Sequence, residues 1–284
     1  MGTTYRILTG FAASTVLIPG VAAGAPVVYT AVGNDAADIT PTRDAFRVAL
    51  GGGTVAGPNG SFGGVRREIN WDGTPAQFAA PNNLPPNFFN TNSPRGVVLS
   101  TPGTGFQVSA DPDDPGITPG QVEFGNINPN NIPIFEPFSP DRLFTALDST
   151  ITDVNFFVPG TTTPGFTNGF GVIFSDVDLA ATTRVDYFDT GGNLLLSGFA
   201  PNMPGNENYS FFGVHFNGGE QVGRVRITSG NTPLGAANNE NASPQTIDLV
   251  VQDDWIYGEP LIPEPATSTL MGLGAAMVLI RRRR

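Results

Sequence analysis

Carboxylates are the most abundant groups in this chain that could do chemistry. The 284 residues include 25 aspartates and glutamates but a single histidine, His215, and no cysteine. The absence of cysteine excludes disulfides, thiolate metal sites and cysteine nucleophiles. A single histidine excludes an HExxH zinc site, and the absence of lysine excludes a Walker A phosphate-binding loop. Chemistry in this chain would therefore depend on carboxylates.

Two carboxylate pairs stand near the ends of strand-like runs. Asp176 and Asp178 are two residues apart, so an extended chain places them on the same side. Asp253 and Asp254 stand at the far end of the last strand-like run. Jelly-roll carbohydrate-binding modules hold a structural calcium ion with oxygen ligands from strand ends, and this pattern is similar to theirs. Some of these four residues are therefore candidate calcium ligands, although solvated acidic turns are the favoured interpretation.

The segment that begins at Asp111 starts like an EF-hand loop but does not continue as one. Pro115 and Val122 occupy the fifth and twelfth positions, where that loop needs oxygen ligands. The EF-hand interpretation fails here, and we expect an acidic turn.

Paired carboxylates also admit glycoside hydrolysis, which needs an acid and a base or nucleophile at a set separation. Because 25 acids always supply some pair that looks suitable, the pattern does not single out an active site. His215 stands in a strand-like run and is interpreted as a strand residue rather than a catalytic base. We predict no enzymatic activity, with a glycoside hydrolase as the alternative.

Exposed aromatic side chains would bind sugars by presenting their faces to pyranose rings. Trp71, Tyr209 and Trp255 stand close to Asp or Asn residues that could hydrogen-bond sugar hydroxyls. These three are the candidate sugar contacts of a binding module, although core or rim packing is the favoured interpretation of each.

Strand-like runs between Gly-, Pro- and Asn-rich loops must position these groups. The 36 glycines, 26 prolines and 21 phenylalanines indicate a loop-rich β protein with an aromatic core. Strands are predicted at 27–30, 43–50, 63–71, 96–100, 105–109, 151–158, 169–174, 184–189, 193–197, 210–216, 221–228 and 246–257, with two turns of helix as the alternative at 43–50. Hairpin turns are predicted at 190–192 and 217–219. The expected fold is all-β: a single antiparallel, jelly-roll-like β-sandwich over residues 24–260.

The first 23 residues have the pattern of a signal peptide. Arg6 supplies a thin basic region, and an apolar run extends from Ile7 to Ile18. Val21-Ala22-Ala23 then offers small residues to signal peptidase. We expect cleavage after Ala23 and export of the remainder.

Residues 261–284 have the pattern of a second targeting segment. Pro263-Glu264-Pro265 leads into the charge-free stretch 266–280, and Arg281, Arg282, Arg283 and Arg284 follow it. As a helix this stretch would span roughly 22 Å, which is short of a hydrocarbon core of about 30 Å. We predict a short transmembrane helix that anchors the protein transiently, with the arginines on the cytoplasmic side.

This order of tripeptide, apolar helix and arginines resembles the PEP-CTERM family of bacterial sorting signals. The resemblance covers about 24 residues, 261–284. It implies that an exosortase, a membrane peptidase or transpeptidase, recognises the tail and processes the protein near Pro263-Glu264-Pro265. It also implies an exported protein of a Gram-negative bacterium that makes exopolysaccharide, and nothing about the upstream domain.

The net charge and the two terminal segments limit the functions that this chain can have. The formal net charge is −11, and five of the 14 arginines lie in the terminal segments, so the middle of the chain is more acidic still. Such a surface repels nucleic acid, which we exclude as a partner. The expected partners are signal peptidase, an exosortase-like enzyme, the inner membrane transiently, and exopolysaccharide. We expect a structural or interaction role in the extracellular matrix or at the cell surface, with a lectin-like carbohydrate-binding module and a polysaccharide hydrolase as alternatives. No cofactor other than structural calcium is expected.

Overall fold

The computed structural model describes residues 24–53, 57–240 and 244–262. Within these ranges the chain forms twelve strands, two α-helices and two short 3₁₀ turns. The strands are β1 (Val27–Gly33), β2 (Arg67–Ile69), β3 (Val97–Ser100), β4 (Gly105–Val108), β5 (Phe144–Leu147), β6 (Ile151–Phe156), β7 (Gly169–Ser175), β8 (Arg184–Asp189), β9 (Leu194–Phe199), β10 (Tyr209–His215), β11 (Val222–Thr228) and β12 (Val251–Tyr257); the helices are α1 (Ala36–Ala49) and α2 (Phe88–Thr91), and the 3₁₀ turns are Ala76–Phe78 and Pro129–Asn131.

The strands build two antiparallel sheets. The first sheet has the order β1-β10-β7-β12-β5-β4, with β2 also paired to β12, and the second has the order β3-β6-β11-β8-β9. From β5 onward the chain passes repeatedly between the two sheets. Of the strands β5 to β12, the first sheet contains the order β5-β12-β7-β10, and the second sheet contains the order β6-β11-β8-β9. The predicted antiparallel β-sandwich is confirmed.

The main core lies between the sheets and is rich in aromatic side chains. Phe170, Val172 and Trp255 of the first sheet join Val225 and Ile227 of the second in one buried cluster. Alternation in β11 explains why Val225 and Ile227 reach the core, because every other side chain of a half-buried strand points inward. The arginines between them are partly exposed on the opposite face. The sequence prediction for β11 is thus confirmed.

Helix α1 covers the outer face of the first sheet. The helical alternative over 43–50 is the correct one, and the helix starts earlier, at Ala36. Its Phe46 packs against Phe211 and near Gly171 and Gly213. A Cβ at Gly171 would lie 2.7 Å from the Phe46 ring, so the close approach requires glycine. Strand β7 is consequently buried on both faces, which explains its uninterrupted apolar sequence.

One predicted hairpin is confirmed and the other is wrong. Strands β8 and β9 pair around the turn at 190–192. The turn at 217–219 instead connects β10 in the first sheet to β11 in the second. Its glycines allow a sharp change of direction, but the partners of each strand decide to which sheet it belongs. The chain therefore crosses between sheets here.

The last pairing of the sandwich among the described residues is at Leu261. Leu261 forms an isolated antiparallel bridge with Phe166, and both its amide and its carbonyl are hydrogen-bonded to that residue. The predicted signal peptide at 1–23 and the predicted sorting residues from Pro263 to Arg284 lie outside the described residues. In the part of the chain that the structure describes, none of the helices combines the length and the apolar character needed to cross a bilayer.

Candidate metal centre

Three carboxylates meet at the end of β7. One oxygen each from Asp176, Asp178 and Glu240 lies within 4.8 Å of the other two. Strand β7 ends at Ser175, and Asp176 follows it with a left-handed backbone (φ 70°), so the two aspartates converge through the turn after the strand and not through the predicted extended period-two geometry. Glu240 comes from the long segment between β11 and β12. The cluster thus joins parts of the chain that are distant in sequence.

Backbone hydrogen bonds hold each of these residues in place. The amide of Asp176 donates to the carbonyl of Asn208 at 3.0 Å. The amide of Asp178 donates to Oδ1 of Asp248 at 2.9 Å. Oε1 of Glu240 accepts from the amide of Leu249 at 2.8 Å. Because four chain segments contribute, the positions of the carboxylates depend on the completed fold.

Asp176 is the most unusual member of the cluster. Its side chain is 0 % exposed, and among the described residues no hydrogen-bond donor reaches either of its oxygens. Oδ1 of the neighbouring Asn208 is also buried without a partner, although its Nδ2 donates to Met203 and Gly205. Buried polar atoms of folded proteins almost always have partners, since an unpaired acceptor costs about 1–3 kcal/mol and an unpaired charge more.

The other three acids of this region are already hydrogen-bonded, Glu240 by the amide of Leu249. Asp178 accepts from the amide of Gly205 at 2.7 Å and from the side chain of Gln245. Asp248 accepts from the amides of Asp178 and Leu179 and from the hydroxyl of Thr182. Asp248 therefore orients the chain at Asp178, while the lone pairs that remain free in the cluster face one another.

Burial and mutual repulsion control the protonation of this cluster. Burial raises the pKa of Asp176 to about 10, and the charges of Glu240, Asp178 and Asp248 add to the effect. Burial likewise raises the pKa of Glu240 to about 7. With protons as the only cations, Asp176 is neutral at pH 7, because three carboxylates this close cannot all ionise.

The chemistry of the donor set fits a hard divalent cation. Every candidate ligand is a carboxylate or amide oxygen, the type that calcium and magnesium prefer. The cluster contains no histidine, and the chain has no cysteine, so the nitrogen and sulfur ligands of zinc are missing here. Asp176, Asp178 and Glu240 could hold the ion, and Asn208 stands beside them.

A solvent-accessible pocket leads to the cluster. Its volume is about 350 Å³, and Asp178 and Glu240 form part of its wall. Side-chain amides supply most of the remaining polar lining, from Asn130, Asn206, Asn239 and Gln245. An ion or a small polar ligand could therefore reach the carboxylates from solvent.

The structure does not bring Asp253 and Asp254 into this site, which corrects that part of the calcium prediction. Both lie within β12, where the pairing with β7 is irregular between Gln252 and Trp255. A bulge of this kind turns side chains out of the regular alternation. Asp253 accepts from the amides of Phe138 and Ser139, and the hydroxyl of Ser139 lies within hydrogen-bond distance of both carboxylates, with one proton to donate. Both carboxylates thus have hydrogen-bond partners within the sandwich.

The three predicted sugar contacts are corrected as well. Trp71 and Trp255 are 1 % and 0 % exposed, and Tyr209 is buried too. Trp71 stacks on Phe144 with ring centroids 4.1 Å apart and meets Trp255 edge-on at 4.8 Å. These rings form the centre of the aromatic core, so their faces are not available to a pyranose ring.

The remaining acidic segment forms the expected turn. The amide of Asp113 donates to Oδ1 of Asp111, and that of Asp114 donates to its carbonyl. Oxygens of Asp111, Asp113 and Asp141 also lie within 4.8 Å of one another. This second group is more exposed, and Arg142 lies beside it with an ion pair to Asp114 at 2.5 Å. A local cation thus already offsets its charge.

Sequence reasoning missed Glu240 and Asn208. Both stand in polar segments outside the predicted strands, where neither periodicity nor a spacing motif marks a ligand. Comparisons of the chain with protein-family models, with curated proteins and with solved structures found no match.

Proposed function

We propose that this chain is an exported protein, sorted through its PEP-CTERM-like tail, with a structural or interaction role in an exopolysaccharide matrix or at the cell surface. The observation that carries the proposal is the junction between the sandwich and the tail. Among the described residues, the last bridge is at Leu261, and Pro263 follows it two residues later in the sequence. The side chains of Leu261 and Ile262 are exposed. The proposed recognition sequence thus begins directly after the last residues that the structure describes.

The fold supports this role. The strand orders β5-β12-β7-β10 and β6-β11-β8-β9 correspond to a jelly roll, in which eight strands alternate between two sheets. We assign the chain to this topology. A jelly roll of this size holds together through its core without disulfides, which suits an exported chain that has no cysteine.

The proposed route has two processing steps. Signal peptidase removes residues 1–23, and the apolar stretch 266–280 then holds the protein in the inner membrane with the four arginines inside. An exosortase-like enzyme acts near Pro263-Glu264-Pro265 and releases the acidic domain to the outside. Its net negative charge keeps the domain soluble and away from nucleic acid.

Separate tail variants test this proposal in a Gram-negative host that has an exosortase. One variant replaces Pro263-Glu264-Pro265 with alanines, and a second deletes Arg281–Arg284. Each should leave an unprocessed, membrane-associated form in the cell fraction. A matched change at the exposed Asp113, outside the tail sequence, should leave processing intact. Unchanged size and location of the protein in both tail variants would contradict the proposal.

A second candidate, a lectin-like sugar-binding function, is favoured by the pocket beside the acidic cluster. Four side-chain amides and two carboxylates line it, and such groups hydrogen-bond sugar hydroxyls without any aromatic platform. Pull-down on the exopolysaccharide of the producing organism tests it. Asn206→Ala should weaken retention, and equal retention of this variant and the unaltered protein would count against a sugar site here.

A further inference from the structure

We propose that Asp176, Asp178 and Glu240 bind one calcium ion, which closes the end of the sandwich where β7, the start of β10 and the segment before β12 meet. The carboxylates converge from two distant segments, with oxygens within 4.8 Å of one another. Independently, the fully buried Asp176 has two oxygens that no donor of the described residues reaches. The proposal concerns a site within the sandwich and does not depend on the route of export.

A shared proton satisfies this arrangement less completely than a cation does. A proton on Asp176 would supply one O–H donor, for one neighbouring carboxylate oxygen. It would leave the other oxygen of Asp176 without a donor, and Oδ1 of Asn208 as well. A metal ion instead contacts several oxygens at once and offsets two of the three negative charges.

Calcium fits the site better than magnesium or zinc. Calcium takes six to eight oxygen ligands in a flexible geometry, whereas magnesium demands a near-ideal octahedron and usually retains several waters. The cluster offers a buried carboxylate on one side and a solvent-accessible pocket on the other, where waters can complete the coordination. Zinc would require nitrogen or sulfur ligands, which the cluster lacks.

Asp248 would act as a positioning residue in this site. It lies outside the group of three carboxylates whose oxygens converge, and its own oxygens accept from the amides of Asp178 and Leu179 and from the hydroxyl of Thr182. Through these bonds it fixes the backbone that carries Asp178. Glu240 connects the ion to β12 through its bond from the amide of Leu249. Calcium would thus stabilise the segment that leads into β12, the strand that lies between β7 and β5 and precedes the tail in the sequence.

The test uses the full chain, stripped with a chelator and titrated with CaCl₂ by calorimetry, with MgCl₂ as a parallel titration. We expect one calcium ion per chain with a dissociation constant on the order of 10⁻⁴ M, as in extracellular calcium modules. The melting temperature should rise by about 3–6 °C at ten times this concentration. Magnesium should bind at least ten times more weakly.

Two variants at the site and one matched control complete the design. Asp176→Asn and Glu240→Gln should each weaken calcium binding at least tenfold and remove the shift in melting temperature. Glu240 is only partly buried, so its variant keeps the test decisive if Asp176→Asn does not fold. Asp113→Asn, in the other acidic group, should bind calcium as the unaltered protein does. No heat and no thermal shift up to 10 mM calcium, equal affinity for magnesium, or unchanged binding in Glu240→Gln would each overturn the proposal.

Discussion

Arg67 and Glu259 form an ion pair of 3.0 Å between side chains that are 0 % and 1 % exposed. Glu259 also accepts from the amides of Phe62 and Gly64, at 2.8 and 2.6 Å. Arg67 additionally donates to the carbonyls of Pro58 and Gly60. Since Glu259 stands two residues before Leu261, this pair fastens the end of the sandwich to the loop before β2.

Glu259→Ala should lower the free energy of unfolding by about 3–5 kcal/mol, because it leaves a buried arginine without its counter-charge. Urea denaturation measures the change. Asp44→Ala is the matched control, since its carboxylate is 51 % exposed and its partner Arg47 retains an ion pair with Glu68. That control should cost less than about 1 kcal/mol. Equal costs for the two variants would show that burial of the Arg67–Glu259 pair has no energetic consequence.

Asp153 should stabilise the fold at neutral pH and not in acid. Burial raises the pKa of this carboxyl, but the hydrogen bonds and charges of Arg226 and Arg224 outweigh burial and lower it below 3.8. A carboxyl whose pKa is lower in the folded state stabilises the protein at pH values above its unfolded-state pKa. This stabilisation is lost as pH falls through the folded-state pKa. Asp153→Asn should therefore cost about 1–2 kcal/mol at pH 7 and almost nothing well below pH 3. A difference that does not vary with pH would contradict this assignment.

Asp72 should have the opposite dependence on pH. Burial raises its pKa to about 7, and the charges of Asp254 and Asp141 add to the shift, although the amide of Arg142 donates to it. Since the folded state holds the proton more tightly, stability is greatest below pH 3.8 and is lost as pH rises to 7. Asp72→Asn should be more stable than the unaltered protein at pH 8, by about 1–2 kcal/mol after solvent screening of this half-buried group. The two proteins should converge near pH 3.5 in pH-dependent thermal denaturation.

Trp71 should be a core residue and not a sugar contact. Trp71→Ala removes a ring that stacks on Phe144 and donates from Nε1 to the carbonyl of Asp253 at 2.8 Å. We expect a loss of about 3–5 kcal/mol in urea denaturation. Phe199→Ala, at an exposed position of the edge strand β9, should cost less than about 1 kcal/mol. A stable Trp71→Ala protein that no longer binds exopolysaccharide would restore the sugar-contact interpretation.

The strands that sequence reasoning placed well are those whose burial follows a simple period. β8 was predicted with its observed bounds, and β11 to within one residue. β5 was missed because its short sequence, Phe144–Leu147, shows no alternation. It was harder to predict which sheet a strand joins, as the turn at 217–219 shows. Local turn chemistry is visible in a sequence, whereas the choice of a partner strand depends on the whole core.

The candidate site was half predictable for the same reason. Asp176 and Asp178 do meet, as predicted, but through a left-handed turn at Asp176 after the strand and not through extended period-two spacing. Asp253 and Asp254 have a similar local appearance, but a bulge and the hydroxyl of Ser139 give them another role. Glu240 enters the cluster only through the long segment before β12, which has no periodic pattern. Long-range folding therefore decides which carboxylates meet.

The intact mass of the protein isolated from a producing bacterium tests the central proposal most directly. We expect the culture or cell-surface fraction to contain a chain that begins at Gly24 and has been processed near Pro263-Glu264-Pro265. Its mass should lack residues 1–23 and the arginines from Arg281 to Arg284. A cytoplasmic protein that retains both Met1 and Arg284 would contradict export and sorting together.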